Sequence, residues 1–493
     1  MNLGSSLHLA GQTIEVENDG DENMDEKSEF LGKDNIKKLL FKLSAPIVVG
    51  MLVQAIYNVV DTFFVGIAYG ADDVQAIGGL SIAFPIQMII MAFGIMLGTG
   101  GSSIISRALG ARENEKAERV LGNVFSLSLI LSVFIAALCL YYLNPLLKVF
   151  GATPGVLPYA REYLKYIILG GTVFVFGVAT QNIVRSEGNA RLAMNAMILG
   201  GGLNIFLDPV FMLGFGMGVK GAAIATVISQ TIASIWLLLY YIRGKGAVRF
   251  RSKTLKPDLK IIKEIGAIGT GSFVMECANS LMMIFVYNAL ATYGGDVAIA
   301  VFGVVMKINS VIFMTLLGMA FGLQPVVGFN YGAKKYERIT EAVKLSLAAT
   351  TVTGILGLVS IYFLKEQLLG LFSTDPEYME LGKNAIVIML LGTPLIGMNV
   401  ITSTLYQALG KAKPAFLLSI SRQLLFLIPA VVLLPRLYQL DGVWAAFPVS
   451  DFLAFMLSGF LLFRGYKIFK ESKYSSKKGA GSETADKTHI KSF

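Results

Sequence analysis

About twelve stretches of this chain are long and apolar enough to cross a lipid bilayer, and nothing else in the sequence constrains the fold as tightly. In hydrocarbon every backbone N–H and C=O must be satisfied within the protein, so a spanning segment is a helix or a strand of a closed barrel. A run of about 20 apolar residues matches a helix crossing a core of about 30 Å. Such runs fall near residues 39–67, 75–105, 118–143, 161–184, 191–213, 218–242, 262–290, 297–328, 339–364, 381–408, 413–435 and 439–463. The chain is 54% hydrophobic and only 15% charged, with a mean hydropathy of +0.64, against roughly 25% charged for a soluble domain. The pattern predicts an all-α, polytopic membrane protein.

The net charge of +9 could suggest a nucleic-acid partner, but its placement excludes one, because Lys and Arg crowd into alternate short loops. One face collects Arg107, Arg112, Lys116 and Arg119, then Arg185 and Arg191, then the cluster Arg243, Lys245, Arg249, Arg251, Lys253, Lys256, Lys260 and Lys263. Lys334, Lys335, Arg338, Lys411 and Lys413 join them, whereas the opposite loops offer little beyond Lys148, Lys220, Lys365 and Arg436. By the positive-inside rule the basic face is cytoplasmic, which predicts a multi-pass protein of the cytoplasmic (inner) membrane with both termini in the cytoplasm. Residues 1–35 are polar and acidic, lack a signal-peptide pattern and read as a disordered cytoplasmic tail; residues 469–493 read as a Lys/Ser-rich one. Cys139 and Cys277 fall in different apolar spans and read as small buried hydrophobes.

The chain is also written twice. "LGARENEKAERV" after the second span returns as "YGAKKYERITEAV" after the eighth, and Gly110 aligns with Gly332 at an offset of 222. "RSEGNARLAM" around Gly188 answers "QALGKAKPAF" around Gly410, and "GVKGAAIAT" around Gly221 answers "LDGVWAAF" around Gly442. Six spans per repeat is an even number, so the halves share one orientation and are related by a pseudo-two-fold axis along the membrane normal. The expected organisation is a lobe at 36–243, a basic cytoplasmic linker at 244–261 and a second lobe at 262–468. Glycines inside the spans, such as Gly98, Gly100, Gly101, Gly269 and Gly271, read as close helix packing.

Ionisable residues within apolar spans are expensive and are kept where they are paired, protonated or functional. The first lobe holds Asp61 ("YNVVDTFFVG") and Asp208 ("LNIFLDPVF") with no Lys, Arg or His deep in its spans. Asn204 and Asp208 are i, i+4 on one helical face, and Gln54, Asn58 and Asp61 form an i, i+4, i+7 stripe. Thr226 lies about two turns into the returning sixth span, so Asp61, Asp208 and Thr226 can share a layer in the outer half. Two carboxylates without a base hold a proton or an oxygen-liganded cation such as Na⁺. Two structural alternatives stand beside that reading: each Asp hydrogen-bonds Asn, Thr or Tyr57 to fix packing, or Asp208 satisfies backbone groups freed by Pro209. The second lobe is balanced, with Glu276 and Asp451 against Lys307 and Arg422. Glu276 with Lys307, and Arg422 with Asp451, are candidate interior ion pairs, and Glu276 is equally a candidate for cationic substrate. Both histidines, His8 and His489, lie in the tails, and no phosphate-binding Gly-rich loop occurs, which argues against a His-ligated intramembrane metal site, ATP hydrolysis and enzymatic activity generally.

"QAIYNVVDTFFVG", "AIGGLSIAFPIQMIIMAFGIMLGTGGSSIISRALGA", "RSEGNARLAM", "LNIFLDPVFMLGFGMGVKGAAIAT" and "GLQPVVGFNYGAKKYERI" resemble the MATE (multidrug and toxic compound extrusion) transporters, in the prokaryotic branch with MepA-like and DinF-like members. The resemblance covers about residues 36 to 468 and implies a V-shaped pair of six-helix lobes. It implies export of small organic, often cationic, compounds by alternating access in exchange for H⁺ or Na⁺; no cofactor beyond the coupling ion is expected, and a monomer suffices for the reading, the sequence leaving the oligomeric state open. It places the cation-coupling site on Asp61, Asn204, Asp208 and Thr226, where Na⁺ would also bind, and the family's seventh-span acid on Glu276. Gln54, Tyr57, Asn58, Gln181 and Glu276 are the substrate-binding candidates. The tenth-span acid of some members is missing, since "GMNVITSTLYQALG" offers only neutral Asn399 and Thr402. The alternative is a flippase of lipid-linked precursors with a related fold, which calls for a basic central cavity.

Overall fold

Each apolar window closes into helix, the only open structure that satisfies its own backbone in lipid. A computed structural model describes residues 27–69, 74–373 and 375–479; the side chains of residues 58, 59, 61–63, 65–69, 74–78, 81 and 466–479 lie outside that description. The spans of the first lobe are α1 (Ile36–Tyr69), α2 (Val74–Gly110), α3 (Asn114–Tyr141), α4 (Leu157–Ser186), α5 (Ala190–Pro209) and α6 (Gly218–Ile242). Those of the second are α7 (Leu259–Tyr293), α8 (Gly295–Gly332), α9 (Tyr336–Gly370), α10 (Pro376–Leu390 continued by Thr393–Ala408), α11 (Ala412–Ile420 continued to Leu433) and α12 (Pro435–Gly479). No strand occurs among the described residues. All twelve spans meet the length and hydropathy of a membrane crossing, so the protein is a multi-pass membrane protein. The fifth span of each lobe carries a π-helical turn, Val210–Gly214 after Pro209 and Ser421–Leu427 in α11.

The duplication reaches the backbone dihedrals. Arg112 and Lys334, 222 residues apart, both sit at φ 59°, and the turn glycines Gly188 and Gly410, at the same offset, stand at φ 86° and 71°. A non-glycine residue at positive φ is uncommon. Its recurrence at equivalent corners shows one loop design used twice.

The lobes meet at the end that carries the basic loops. Gly110 abuts the Phe329 carbonyl while Gly332 abuts the Arg107 carbonyl, a reciprocal contact between repeat-equivalent positions. The same reciprocity continues inward: Gly100 meets Ile265 of α7 as Gly322 meets Ser44 of α1, and Gly269 meets Met96 as Gly318 meets Val48. A Cβ at any of these positions would come within 3.0 Å of backbone or of a packed side chain. Gln324 Nε2 donates to Ser102 Oγ at 3.0 Å, and these residues are 222 apart. A residue that touches its own repeat equivalent lies on the pseudo-two-fold axis. Arg107 pairs with Glu264 at 3.1 Å, and the Arg185 guanidinium stacks 4.2 Å from the Phe321 ring. One hydrophobic cluster runs through this seam into both lobes, whereas a second, from Met282 to Phe447, belongs to the second lobe alone.

The expected tail at 1–35 needs correction. Residues 27–33 form a helix that lies across the seam, with Leu31 fully buried. Asn330 and Arg338 donate to the Leu31 carbonyl at 2.9 and 3.3 Å, Lys335 to Gly32 O at 3.0 Å, and Lys27 reaches Gly246 O at 3.3 Å. Acidic composition concealed two apolar anchors, Phe30 and Leu31, and a string of backbone carbonyls that second-lobe side chains satisfy. Residues 1–26 lie outside the described residues. At the other end α12 continues as helix to Gly479, past the expected boundary at 468.

Candidate cation-coupling site

Asparagine and aspartate four residues apart share a face of α5, and Pro209 directly after them breaks the regular bonding, because it lacks an N–H. The chain then widens into the π turn, and α6 returns close beside it: a Cβ at Gly221 would lie 2.8 Å from the Phe211 carbonyl carbon. This close return brings Thr226 against the polar face of α5. Asn204 Nδ2 donates to Asp208 Oδ1 at 3.0 Å and lies 3.3 Å from Thr226 Oγ1, which itself donates to the Ala222 carbonyl at 2.9 Å. Asn204, Asp208 and Thr226 are 1%, 0% and 5% exposed. The structure therefore brings together three of the four residues singled out for coupling.

The Asn204 Oδ1 oxygen is buried without a donor among the described residues, as is the hydroxyl of Ser229, one turn beyond Thr226. An orphaned buried acceptor costs about 1–3 kcal/mol. The orphan oxygen of Asn204, the Asp208 carboxylate and the Thr226 hydroxyl form a donor set that suits a proton or a hard cation, so the residues fit the implied occupant.

Asp61 and Asn58 have side chains outside the described residues. Their helix is placed: Gly50 of α1 packs on Met197, and Gly201 packs on Tyr57 and Val53. Continued one turn, this parallel register carries the backbone at Asp61 alongside the Asn204–Asp208 segment. Gln54 and Tyr57 are half-buried on α1, and Gln181 is half-buried on α4.

In the second lobe the expected pairs part company. Arg422 Nε donates to Asp451 Oδ1 at 2.6 Å, with Asp451 2% exposed. Glu276 forms no ion pair among the described residues. Lys307 is exposed and lies 5.9 Å from the Phe372 ring, so the Glu276–Lys307 pairing is not made. Equal depth in the membrane does not fix which way round a helix a side chain points. Glu276 is instead one turn from Asn279, whose Oδ1 accepts from Gln423 Nε2 at 3.0 Å. Asn399 of α10 is consumed in packing, donating to Ser458 Oγ at 3.1 Å and Ser421 Oγ at 3.3 Å.

A further buried acid lies in the loop after α4. Glu187 is 3% exposed; its carboxylate accepts from Tyr241 at 2.8 Å, from the Ala247 N–H at 3.0 Å and from Tyr240 at 3.4 Å. Burial pushes its carboxyl up from 4.5 to about 7 against the lowering pull of those bonds. Glu187 thus ties the end of α6 and the start of the linker to the first lobe. The sequence patterns did not single it out.

The MatE family model matches residues 46–210 and 272–432, one block in each lobe. The chain belongs to the MatE family. As a MatE protein it is a membrane transporter and not an enzyme. Among its relatives, the multidrug export protein MepA of Staphylococcus haemolyticus is 27% identical over 439 residues, covering 89% of this chain and 96% of the relative. An outward-facing structure of a multidrug resistance MATE transporter of the MOP superfamily superposes with a TM-score of 0.85 at 28% identity, covering 90% of this MatE chain and 99% of that one. A Pyrococcus furiosus MOP-superfamily transporter, for which reversed pocket polarity suggested a different function, gives 0.85 at 29% identity over the same shares of the two chains.

Proposed function

We propose that this MatE protein exports small organic, often cationic, compounds by antiport with H⁺ or Na⁺. The observation that carries the proposal is the buried Asn204–Asp208–Thr226 cluster, a carboxylate, an amide and a hydroxyl with no basic side chain in the contacts that define it. A carboxylate so buried is costly when bare and is stabilised by a bound proton or cation. Occupancy of the cluster, with Asp61 on the adjoining helix, then biases the first lobe toward one conformation, and substrate binding biases it toward another. The second bias draws on the substrate-binding candidates Gln54, Tyr57, Asn58, Gln181 and Glu276. With the basic loops in the cytoplasm, both termini are cytoplasmic and the glycine seam is the closed cytoplasmic side, so the conformation is outward-facing. A flippase of lipid-linked precursors would favour a basic centre, and the acidic first lobe supports export instead.

Dye efflux from proteoliposomes under an imposed pH or Na⁺ gradient tests the proposal and separates the two ions. Asp61→Asn and Asp208→Asn should each keep folded protein and lose gradient-driven efflux. Gradient-driven efflux retained by both variants would refute it.

A further inference from the structure

The linker between the lobes is fastened along the start of α3. Asn123 accepts from the Asp258 N–H at 2.7 Å, Ser126 donates to Leu255 O at 2.6 Å, and Arg251 pairs with the buried Glu118 at 3.2 Å. The single turn Ser252–Leu255 presses Thr254 onto Gly122. Linker and α3 thus line an open-sided cleft of about 660 Å³. Its acids are committed: Glu118 to Arg251, Glu115 to Arg119 at 3.9 Å, and Asp258 to capping α7 through the Lys260 N–H at 2.8 Å. Lys253, Lys256 and Lys260 line the same cleft, are exposed, and make no ion pair among the described residues. Three lysines held around one cavity call for an anion. The rim says which kind, because Leu255 and Leu259 stand 36% and 72% exposed and Leu259 opens the apolar span of α7. Exposed leucines beside lysines at the end of a spanning helix mark the bilayer surface.

We propose that this cleft binds the phosphate headgroup of an anionic phospholipid in the leaflet on the basic-loop side, with Lys253, Lys256 and Lys260 on the phosphate and Leu255 and Leu259 along the acyl chains. The bound lipid joins α3 of the first lobe to the start of α7 of the second. Its occupancy is therefore placed to influence how the lobes rock.

Native mass spectrometry of the full chain released from neutral detergent, with added phosphatidylglycerol or phosphatidylcholine, reads the site directly. Wild type should retain phosphatidylglycerol and not phosphatidylcholine. Lys253→Gln/Lys256→Gln/Lys260→Gln should weaken that retention by about 10-fold or more, with an unchanged unfolding temperature in phosphatidylcholine. Lys→Arg at the same three positions should preserve it, which keeps the test decisive if the glutamine variant folds poorly. Arg243→Gln/Lys245→Gln/Lys413→Gln removes equal charge outside the cleft and should also preserve it. The proposal is overturned if the glutamine variant of the cleft retains the lipid as wild type does, or if the off-cleft variant loses as much. Displacement of the lipid by millimolar inorganic phosphate also overturns it, since the ligand would then be a free anion.

Discussion

The fifth and sixth helices of the two lobes are built to one plan and made electrically different. In the second lobe Arg422 of α11 and Asp451 of α12 close a 2.6 Å ion pair. With Gly221 aligned to Gly442, the place of Asp451 falls in the first lobe on Gln230, beside Gly200. The converse holds for the coupling cluster. Aligning Pro209 with Pro429 puts Asp208 on Ile428 and Asn204 on Leu424, while the 222 offset puts them on Ala430 and Phe426. Either register leaves an apolar position in the second lobe, and Thr226 meets Phe447 there, buried in that lobe's own hydrophobic cluster. One copy neutralises its buried charge internally, Arg422 against Asp451; the other sets its acid, Asp208, against an amide that also reaches a hydroxyl. A self-compensated pair is a structural element, and the function proposed above assigns the coupling role to the acid of the other lobe.

The largest expected effect attacks the acidic lobe. Asp208→Asn should reduce gradient-driven dye efflux to the level of protein-free liposomes, whereas Arg422→Met/Asp451→Leu, which removes charge from the other lobe, should leave efflux measurable. Equal losses in the two variants would erase the distinction between the lobes. Next in size is the ion pair: Arg422→Met alone strands Asp451 in the interior and should cost about 3–5 kcal/mol of stability. The double substitution should return close to wild type in a chemical-unfolding series.

Glu187 offers a third comparison, since its equivalent at the 222 offset is the buried Leu409. A carboxyl standing near 7 in the fold against an ordinary 4.5 binds its proton more tightly folded than unfolded. Its burial is therefore without charge penalty below pH 4.5, is penalised increasingly as pH rises from there to 7, and is fully penalised above 7, by about 3 kcal/mol. Glu187→Gln should melt higher than wild type at pH 8 and level with it near pH 4.5. A difference that does not change with pH would show that the carboxyl does not titrate in this window. The smallest effect belongs to the shared seam: Gly332→Ala places a methyl against the Arg107 carbonyl and should cost the sealed state about 1–3 kcal/mol. Spin-label distances between the basic ends of α2 and α8 should lengthen.

Spans, repeat and the i, i+4 pair on α5 were legible because each is a local regularity: apolar length, a fixed offset, a helical period. Thr226 was reachable because topology fixes depth. What depth cannot fix is azimuth, and that is why Arg422 met Asp451 while Lys307 turned away from Glu276. The surroundings of Glu187 were hidden for another reason. Tyr240, Tyr241 and Ala247 lie more than fifty residues onward in sequence, and no short-range pattern reports that a loop acid will be roofed by them. The helix at 27–33 was masked by composition, its apolar anchors being only Phe30 and Leu31 after a long polar, acidic stretch.

The contact of Ser102 with Gln324 across the axis speaks of ancestry. A six-helix precursor assembling with its own copy in parallel would have placed the same side chain opposite itself at that point, and the reciprocal glycine contacts are those of such a symmetric dimer. Two identical residues on a symmetry axis must be compatible with themselves. After fusion into one gene that restriction lifts, and a short hydroxyl can face a long amide. The same freedom let an acid persist at Asp208 without a twin in the second lobe.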